Sequence, residues 1–171
     1  MKIKIKKLTP NAVIPSYSLD GDAAQDLTAT SRYFDEFGNV VFGTGLAFEI
    51  PDGYVGLLFA RSSNAKKDLI LANSVGILDS NFRGEVLFKF KPSVVFFDDV
   101  QSESGKIGKQ TLVFDDIVVP TIANALSLEN YRIGERIGQI LVIPIPKIEF
   151  EEVKELTKTN REGGSFGSTG K

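Results

Sequence analysis

Residues 73–84 read Asn-Ser-Val-Gly-Ile-Leu-Asp-Ser-Asn-Phe-Arg-Gly, a short apolar run between two groups of turn-forming residues. Val75, Ile77 and Leu78 favour a β-strand, and the flanking Asn, Ser and Gly residues favour reversals of the chain. The pattern predicts a hairpin with Asp79 at its bend. Asp is common in turns for conformational reasons alone, but a rigid bend is also where a fold can hold a carboxylate beside a ligand pocket.

The length and composition of the chain are those of one compact domain. It has 171 residues, 42% of them hydrophobic and 25% charged. Its net charge of -2 gives no general attraction to nucleic acid or to an anionic membrane. The sequence contains no cysteine, which rules out disulfides, and no histidine, which removes the usual metal ligand and general base. Any chemistry must therefore run on carboxylates, amides, hydroxyls, Arg and Lys.

The sequence contains no pattern typical of a membrane protein. No apolar run approaches the roughly 20 residues that a membrane helix needs. Residues 1–5 alternate lysine with bulky apolar residues and lack the apolar core of a signal peptide. We therefore expect a soluble protein of the cytoplasm.

Short apolar and alternating runs predict an all-β domain. Residues 2–8 alternate Lys with Ile, a pattern typical of a strand with one solvent-facing side. Residues 40–50 and 54–60 flank the turn signal Pro-Asp-Gly, which predicts a second hairpin. Residues 140–145 form an apolar run that ends in prolines, which indicates an edge strand or the final strand.

Three polar features next to these strands are candidates for a binding site. The acidic loop 20–27 is either simply solvated or, through Asp26, a water-mediated contact to a metal that arrives with a ligand. Residues 61–67, Arg-Ser-Ser-Asn-Ala-Lys-Lys, are either a surface loop or an oxyanion cradle at the start of a helical turn. Gln139 interrupts an apolar strand, and a buried amide requires hydrogen-bond partners.

Two segments differ from the rest of the domain. Residues 93–130 mix acidic loop-like stretches with the strand-like runs 112–114 and 117–119, and the segment resembles an insertion. Residues 158–171 are rich in glycine, which favours a disordered tail. A lone aromatic, Phe166, in this glycine-rich segment also fits a lid that folds over a flat ring and phosphates.

Five polar or glycine-containing stretches are distributed along the chain. They are Ala24-Gln25-Asp26-Leu27, Arg61-Ser62-Ser63, Gly76 to Gly84, Gly134-Glu135-Arg136-Ile137-Gly138-Gln139 and Arg161 to Gly170. Together they resemble the five motifs of the trimeric deoxyuridine triphosphatases, in the same order and at similar spacing. The resemblance covers nearly the whole chain, and the third, fourth and fifth motifs are individually specific.

This resemblance implies a fold, an assembly and an activity. The family has a jelly-roll β-barrel, residues 1–157 here, followed by a flexible C-terminal arm, residues 158–171. It forms a homotrimer with active sites at the subunit interfaces. Its members hydrolyse dUTP to dUMP and pyrophosphate with Mg²⁺, which keeps uracil out of DNA and supplies dUMP for thymidylate synthesis.

The resemblance also assigns roles to individual residues. Asp79 resembles the base that deprotonates the water attacking the α-phosphorus, and Asp26 the acid that reaches Mg²⁺ through water. Asn73 resembles the position that reads uracil, with backbone groups of the hairpin, and Phe82 the ring beneath the deoxyribose. The full set of candidate substrate-binding residues is Arg61, Ser62, Ser63, Asn73, Gly76, Ile77, Phe82, Gln139, Arg161, Phe166, Gly167, Ser168 and Thr169.

Some features depart from the family pattern and leave alternatives open. Glu162 and Ser165 occupy arm positions often held by glycine, which makes the arm stiffer than usual. The insertion at about 93–130 is similar to insertions in phage members of the family, so we expect a phage or prophage origin. The alternatives are a dCTP deaminase of the same superfamily, and a nucleotide-dependent regulatory protein that binds a protein partner through the insertion.

Overall fold

The computed structural model describes residues 1–67, 69–92, 111–114, 117–120 and 131–159. In these ranges the regular structure is β-strand, apart from one 3₁₀ turn at Ser62–Lys66. The strands are β1 (Lys4–Lys7), β2 (Gln25–Thr28), β3 (Ser31–Phe34), β4 (Val40–Gly43), β5 (Leu46–Glu49), β6 (Tyr54–Ala60), β7 (Leu69–Leu71), β8 (Gly76–Leu78), β9 (Leu87–Pro92), β10 (Thr111–Phe114), β11 (Ile117–Pro120) and β12 (Arg136–Pro144).

Two four-stranded antiparallel sheets form the body of the protein. Their strand orders are β2-β12-β6-β8 and β3-β4-β9-β7, and β1 pairs separately with β5. Apolar side chains of both sheets, such as Leu58 and Ile140 from one and Phe42 and Phe88 from the other, belong to a single buried cluster. This arrangement confirms the predicted all-β domain with a jelly-roll β-barrel architecture.

Four aromatic rings occupy the centre of this core. Phe42, Phe88 and Phe90 are at most 1% exposed, and Tyr131 is 2% exposed. The Phe42 and Phe90 rings meet edge to face with centroids 5.9 Å apart. Full burial of a side chain of this kind contributes about 1.5–3 kcal/mol. The aromatic cluster therefore connects β4 and β9 to Tyr131, five residues before the start of β12.

The prediction of a hairpin over residues 73–84 is wrong in its strand pairing. β8 pairs with β6, so that Leu78 lies opposite Gly56, and the chain beyond Asp79 crosses to β9 in the other sheet. The strand and the bend are both present, but they do not fold back on each other. Leu78 and Phe88 are both buried in the core between the sheets. Burying apolar faces from two sheets against each other outweighs local pairing.

The hairpin predicted for residues 40–60 is also wrong. Gly45, with φ of +65°, divides the first run into β4 and β5, and a Cβ there would clash with the Thr9 side chain. The Pro51 turn is present, with the Tyr54 amide donating to the Pro51 carbonyl at 3.2 Å. β5 nevertheless pairs with β1, while β6 pairs with β12 and β8. The N-terminal strand β1 is therefore the partner of β5, where the hairpin pattern predicted β6.

The predicted first and last strands are present. β1 lies within the alternating run 2–8, and β12 contains most of the apolar run 140–145. β12 is the last strand among the described residues, but it is paired on both sides, by β2 and β6, and is therefore not an edge strand. Its pairing ends at Pro144, opposite Tyr54.

Only part of the predicted insertion falls within the described residues. β10 and β11 form an antiparallel pair with Phe114 opposite Ile117, which confirms the two strand-like runs. The remainder of residues 93–130, and the predicted arm from residue 160 onward, lie outside the described residues. In the described part of the chain, no helix has the length and apolar character needed to cross a membrane.

One carboxylate holds the loop between β3 and β4. Asp35 Oδ1 accepts hydrogen bonds from the backbone amides of Phe37 and Asn39, at 3.0 and 2.9 Å. Its Oδ2 accepts from Asn39 Nδ2 at 2.9 Å and from Lys89 Nζ at 3.2 Å. The Asn39 side-chain hydrogen bond is the main cause that lowers the pKa of Asp35 from 3.8 to about 2.

We expect the stability deficit of an Asp35→Asn variant to shrink at acid pH. Because the pKa of Asp35 is lower in the folded protein, its ionised form stabilises the fold above about pH 4, and that contribution is lost as the pH falls through about 2. Circular dichroism melting curves from neutral pH to about pH 2 measure the convergence of wild type and variant. Glu36→Gln, in the same loop, is the charge-matched control. A gap for Asp35→Asn that stays constant across this range would contradict the expectation.

Candidate active site

A cleft lies beside strands β2, β6 and β12, which are neighbours in one sheet. In the antiparallel register, Gln139 on β12 lies opposite Asp26 on β2 and opposite Phe59 on β6. Arg61 directly follows β6. The cleft has a volume of about 660 Å³ and is lined by Asp26, Arg61, Ser62 and Gln139. The structure therefore brings together four candidate residues from three distant parts of the sequence.

Asp26 is held between two arginines in this cleft. Its Oδ1 lies 2.7 Å from Nε of Arg61, and its Oδ2 lies 3.0 Å from Nη1 of Arg136. The Asp26 side chain is 18% exposed, and that of Arg61 is 25% exposed. Charge-assisted hydrogen bonds of this length are strong and directional, so they fix the orientation of the Arg61 guanidinium.

Arg136 is a cleft residue to which the sequence analysis gave no role. Its side chain is 54% exposed, more than that of Arg61, and it lines the cleft. Arg136 lies three residues before Gln139 in the same motif, and this proximity was the sequence signal that could have identified Arg136 as a site residue. The register of β12 against β2 shifts between Arg136 and Gly138, so that Arg136 lies opposite Thr28. From this position the Arg136 side chain reaches Asp26, two residues before Thr28 on β2.

The predicted helical turn is present directly after Arg61. The 3₁₀ turn Ser62–Lys66 begins there, and the Asn64 amide donates to the Arg61 carbonyl at 2.9 Å. Arg61 Nη1 also donates to Ser63 Oγ at 3.3 Å. Ser62 is exposed at the cleft. The arrangement presents a hydroxyl and a cation side by side, which are groups that bind phosphate oxygens.

Gln139 has the partner that its position in an apolar strand required. Its Nε2 donates to the Ala60 carbonyl at 3.3 Å, and the side chain is half-buried. An amide has two N–H donors and one acceptor oxygen, so this single bond leaves donor capacity directed at the cleft for a ligand. Gln139 also ties β12 to the end of β6.

Asn73 lies on a strained turn before β8. Ser74 has φ of +58°, the single positive φ of a non-glycine residue in the described part of the chain. The Val75 amide donates to the Asn73 carbonyl across this γ-turn. A Cβ on Gly76 would lie 3.4 Å from Asn73 Nδ2, so the exposed amide side chain lies over that glycine. Strain of this kind concentrates at functional sites.

Asp79 and Phe82 lie on one tight turn after β8. The Phe82 amide donates to the Asp79 carbonyl at 3.2 Å, and Arg83 Nη1 donates to the carbonyls of Ser80 and Phe82 at 2.6 and 2.8 Å. The Phe82 ring lies against Gly84, where a Cβ would be 2.6 Å from the ring. The Asp79 side chain is exposed. It forms no hydrogen bond or ion pair with the described residues, so its carboxylate is available as a proton acceptor.

Asp79 does not meet the cleft within one chain. Leu78, its neighbour, pairs with Gly56 on β6, whereas Arg61 lies five residues after Gly56, just beyond the end of that strand. At about 3.3 Å per residue, that offset is about 16 Å along the sheet. Ile77, the remaining candidate on β8, is exposed, and Gly76 is buried. The candidate residues therefore form two separate groups in a single chain.

A metal ion would have few direct ligands here. Among the described residues there is no cluster of three or more Asp or Glu side chains that could hold a metal. Both Asp26 oxygens are already paired with arginines, but each retains a lone pair that can accept a hydrogen bond from water. These residues fit a hydrated cation bound mainly by ligand phosphates, because Mg²⁺ keeps several of its waters. They do not fit a metal site made by the protein alone.

The five candidate residues of the predicted arm cannot be placed in the site. They lie outside the described residues and are Arg161, Phe166, Gly167, Ser168 and Thr169.

Comparison with known proteins gives consistent matches along the whole chain. Residues 10–94 match the dUTPase family. A relative from Nautilia profundicola, the deoxyuridine 5'-triphosphate nucleotidohydrolase, is 34% identical over 173 residues, covering 100% of both chains. A relative of the same description from Hydrogenobaculum sp. is 31% identical and covers 99% of both.

Solved structures of phage enzymes have a similar fold. A Staphylococcus bacteriophage 80alpha dUTPase mutant with dUpNHpp has a TM-score of 0.71 and 24% identity, covering 99% of this chain and 98% of the phage chain. The dUTPase from phage phi11 of S. aureus, which has a species-specific insert, has a TM-score of 0.64 and 22% identity, covering 93% and 100%. A mutant of the phi11 enzyme coordinates a structural Mg(II) ion. On the full-length sequence matches, the chain belongs to the dUTPase family.

Proposed function

We propose that this protein hydrolyses dUTP to dUMP and pyrophosphate. The observation that carries the proposal is its full-length similarity to nucleotidohydrolases of that specificity, with 34% identity to the Nautilia profundicola relative. The exposed Asp79 carboxylate and the cleft around Arg61 provide the chemical groups that this reaction needs without histidine.

Asp79 is the general base of the proposed reaction. Its carboxylate accepts a proton from a water molecule as the water oxygen attacks the α-phosphorus. The bond between the α-phosphorus and the bridging oxygen to the β-phosphorus then breaks, and pyrophosphate leaves with the electron pair. Phosphoryl chemistry depends mainly on position and charge, so the fixed turn that carries Asp79 matters as much as its basicity.

The cleft binds the phosphates in this proposal. Arg61, Ser62 and Ser63 present the guanidinium and hydroxyl donors, and Gln139 adds an amide donor. From the arm, Arg161 supplies a further cation, and Gly167, Ser168 and Thr169 supply backbone and hydroxyl donors. Closure of the arm would exclude water other than the attacking molecule from the site.

The turns around β8 select the base and the sugar. The Asn73 amide can both donate to and accept from the edge of uracil, and backbone groups of Gly76 and Ile77 supply the remaining bonds. Phe82 lies beneath the deoxyribose and leaves no room for a 2′-hydroxyl. Phe166 of the arm stacks on the uracil ring.

We expect Asn73→Ala to weaken dUTP binding by about 1–3 kcal/mol, because the uracil edge would lose its partner and become unpaired. Titration calorimetry with dUMP measures the change without turnover. Asn81→Ala, an exposed amide on the neighbouring turn, is the matched control and should bind like wild type. Unchanged dUMP affinity in Asn73→Ala would mean that another residue reads the base.

The charges of the cleft fit a requirement for Mg²⁺. The cleft contains two acids, Asp22 and Asp26, and two arginines, Arg61 and Arg136, so the charges of its ionised side chains sum to zero. A triphosphate therefore needs further positive charge, which a bound Mg²⁺ supplies by neutralising the phosphate oxygens. Asp26 would hold the hydration shell of this ion through water. The structural Mg(II) ion of the phi11 mutant supports a metal in this family.

A homotrimer would unite the two groups of candidate residues. Because Asp79 and Arg61 are far apart in one chain, a complete site requires Asp79 from one subunit and the cleft from another. Residues 145–159 are exposed throughout in a single chain, with Phe150 and Leu156 exposed to 92% and 85%. A neighbouring subunit would cover apolar side chains of this kind.

The domain organisation proposed here is a barrel of residues 1–157, an insertion at about 93–130, and an arm of residues 158–171. The pairing of β10 with β11 as a separate two-stranded sheet inside the insertion supports an added unit. The phi11 enzyme also has a species-specific insert. We assign the insertion to a phage-type member of the family and propose that it binds a protein partner.

Release of pyrophosphate from dUTP, dCTP and dTTP by the purified protein tests the function. Release from dUTP alone is the expected result. Ammonia from dCTP would identify the deaminase alternative, and tight dUTP binding without turnover would identify a nucleotide sensor. Either of these results would overturn the hydrolase proposal.

A further inference from the structure

A buried tyrosine outside the predicted site contacts the turn that carries the candidate phosphate ligands. Tyr131 is 2% exposed, and its ring lies against Phe42 and Phe90 with centroids 5.9 and 5.7 Å away. The Nζ atom of Lys67 lies 5.4 Å from the centre of the same ring. The closely packed core therefore fixes the position of the Tyr131 hydroxyl.

This hydroxyl belongs to a chain of hydrogen bonds that reaches Asp26. Tyr131 Oη donates to Asn64 Oδ1 at 3.2 Å, and the backbone amide of Asn64 donates to the Arg61 carbonyl at 2.9 Å. Arg61 Nη1 also donates to Ser63 Oγ in the same turn, at 3.3 Å. The same guanidinium donates from Nε to Asp26 at 2.7 Å. Consecutive hydrogen bonds of this kind polarise and strengthen one another.

The turn at Ser62–Lys66 depends on such side-chain contacts for its position. It is a single 3₁₀ turn, a structure with poor hydrogen-bond geometry and little stability of its own. Asn64 is held on its other side by a bond from Nδ2 to the Leu69 carbonyl at 2.8 Å. Burial raises the pKa of Tyr131 above its usual value of 10.0, so the phenol remains a hydrogen-bond donor at neutral pH.

We infer that Tyr131 is a positioning residue for the phosphate subsite, whose hydroxyl holds the Ser62–Lys66 turn so that Arg61 and Ser62 face the cleft. The inference rests on the proposed function, since it takes this turn to bind the substrate phosphates. Tyr131 does not line the cleft formed by the described residues, so it acts through Asn64.

Tyr131→Phe tests the inference because it keeps the ring in the core and removes only the hydroxyl. We expect the affinity for dUTP with a non-hydrolysable imido bridge to fall by about 3- to 10-fold, the effect of one lost hydrogen bond. The affinity for dUMP, which lacks the β- and γ-phosphates, should change by less than about twofold. Calorimetric titration measures both, and thermal unfolding confirms that the variant is folded.

Two further variants separate positioning from a general loss of stability. Tyr33→Phe removes a hydroxyl from the half-exposed tyrosine of β3 and should change neither affinity. Asn64→Ala removes the acceptor of the Tyr131 hydroxyl without altering the aromatic core. Because the two side chains share one hydrogen bond, the double variant of Asn64→Ala and Tyr131→Phe should lose little more affinity than the weaker-binding single variant.

Three results would overturn the inference. They are an equal loss of affinity for the imido analogue of dUTP and for dUMP in Tyr131→Phe, unchanged affinities in that variant, and fully additive losses of affinity in the double variant. If wild type hydrolyses dUTP and any of these results is found, only the role of Tyr131 fails. If wild type does not hydrolyse dUTP, the proposed function fails, and the inference fails with it.

Discussion

Asp79→Asn is expected to lower the rate of dUTP hydrolysis by about 10²-fold or more, the scale on which loss of a general base acts. The amide keeps the shape of the side chain and can still occupy the turn, so the variant should fold and bind dUTP. What it loses is the acceptor for the proton of the attacking water. Single-turnover measurements of pyrophosphate release, with binding measured separately, distinguish this loss from weakened affinity.

Asp52→Asn is the matched control for this prediction. Asp52 is also an exposed aspartate on a tight turn. It follows Pro51 and lies just before the start of β6, whereas Arg61 lies just after the end of that strand. The control should retain wild-type turnover, because its carboxylate belongs to neither group of candidate residues. Near-normal turnover in Asp79→Asn would show that a different group activates the water.

Mixing two inactive variants is expected to restore roughly a quarter of wild-type activity. One parent carries Asp79→Asn and retains the arm, and the other retains Asp79 and ends before Arg161. If a site takes its base and its arm from different subunits, one site of the three in every mixed trimer is complete. Random assembly into closed trimers makes about three-quarters of them mixed, which gives the expected recovery.

The control for this experiment pairs the arm-truncated chain with a chain that carries both the truncation and Asp79→Asn. No site in that mixture has an arm, so no activity should return. Native mass spectrometry shows whether mixed trimers have formed. Mixed trimers without recovered activity would mean that the arm and the base act within one subunit.

The sequence was sufficient for the fold class and for several of the strands and turns. The alternation of Lys and Ile in the first strand and the apolar run 140–145 predicted strands that are present, since side-chain period follows directly from backbone geometry. The Arg-Ser-Ser stretch predicted a helical turn, and the turn begins at Ser62. The roles of these residues in binding and catalysis stay predictions.

The pairing of the strands could not be predicted from local patterns. Both hairpin predictions failed because each turn was identified correctly while the strands next to it found partners elsewhere in the chain. β8 pairs with β6, and β5 pairs with β1. Turn chemistry depends on a few adjacent residues, whereas pairing depends on which apolar faces can be buried together across the whole barrel.

By itself, the sequence determined the set of polar groups available for chemistry, because the absence of histidine and cysteine leaves carboxylates, amides, hydroxyls, Arg and Lys. Only the tertiary structure decided how these groups combine. It formed an ion pair between Arg136 and Asp26 and a hydrogen bond from Tyr131 to the turn after Arg61, and it separated Asp79 from the cleft. Those relations arise from the register of β6, β8 and β12 and from core packing, and residues far apart in the sequence carry no local signal of either.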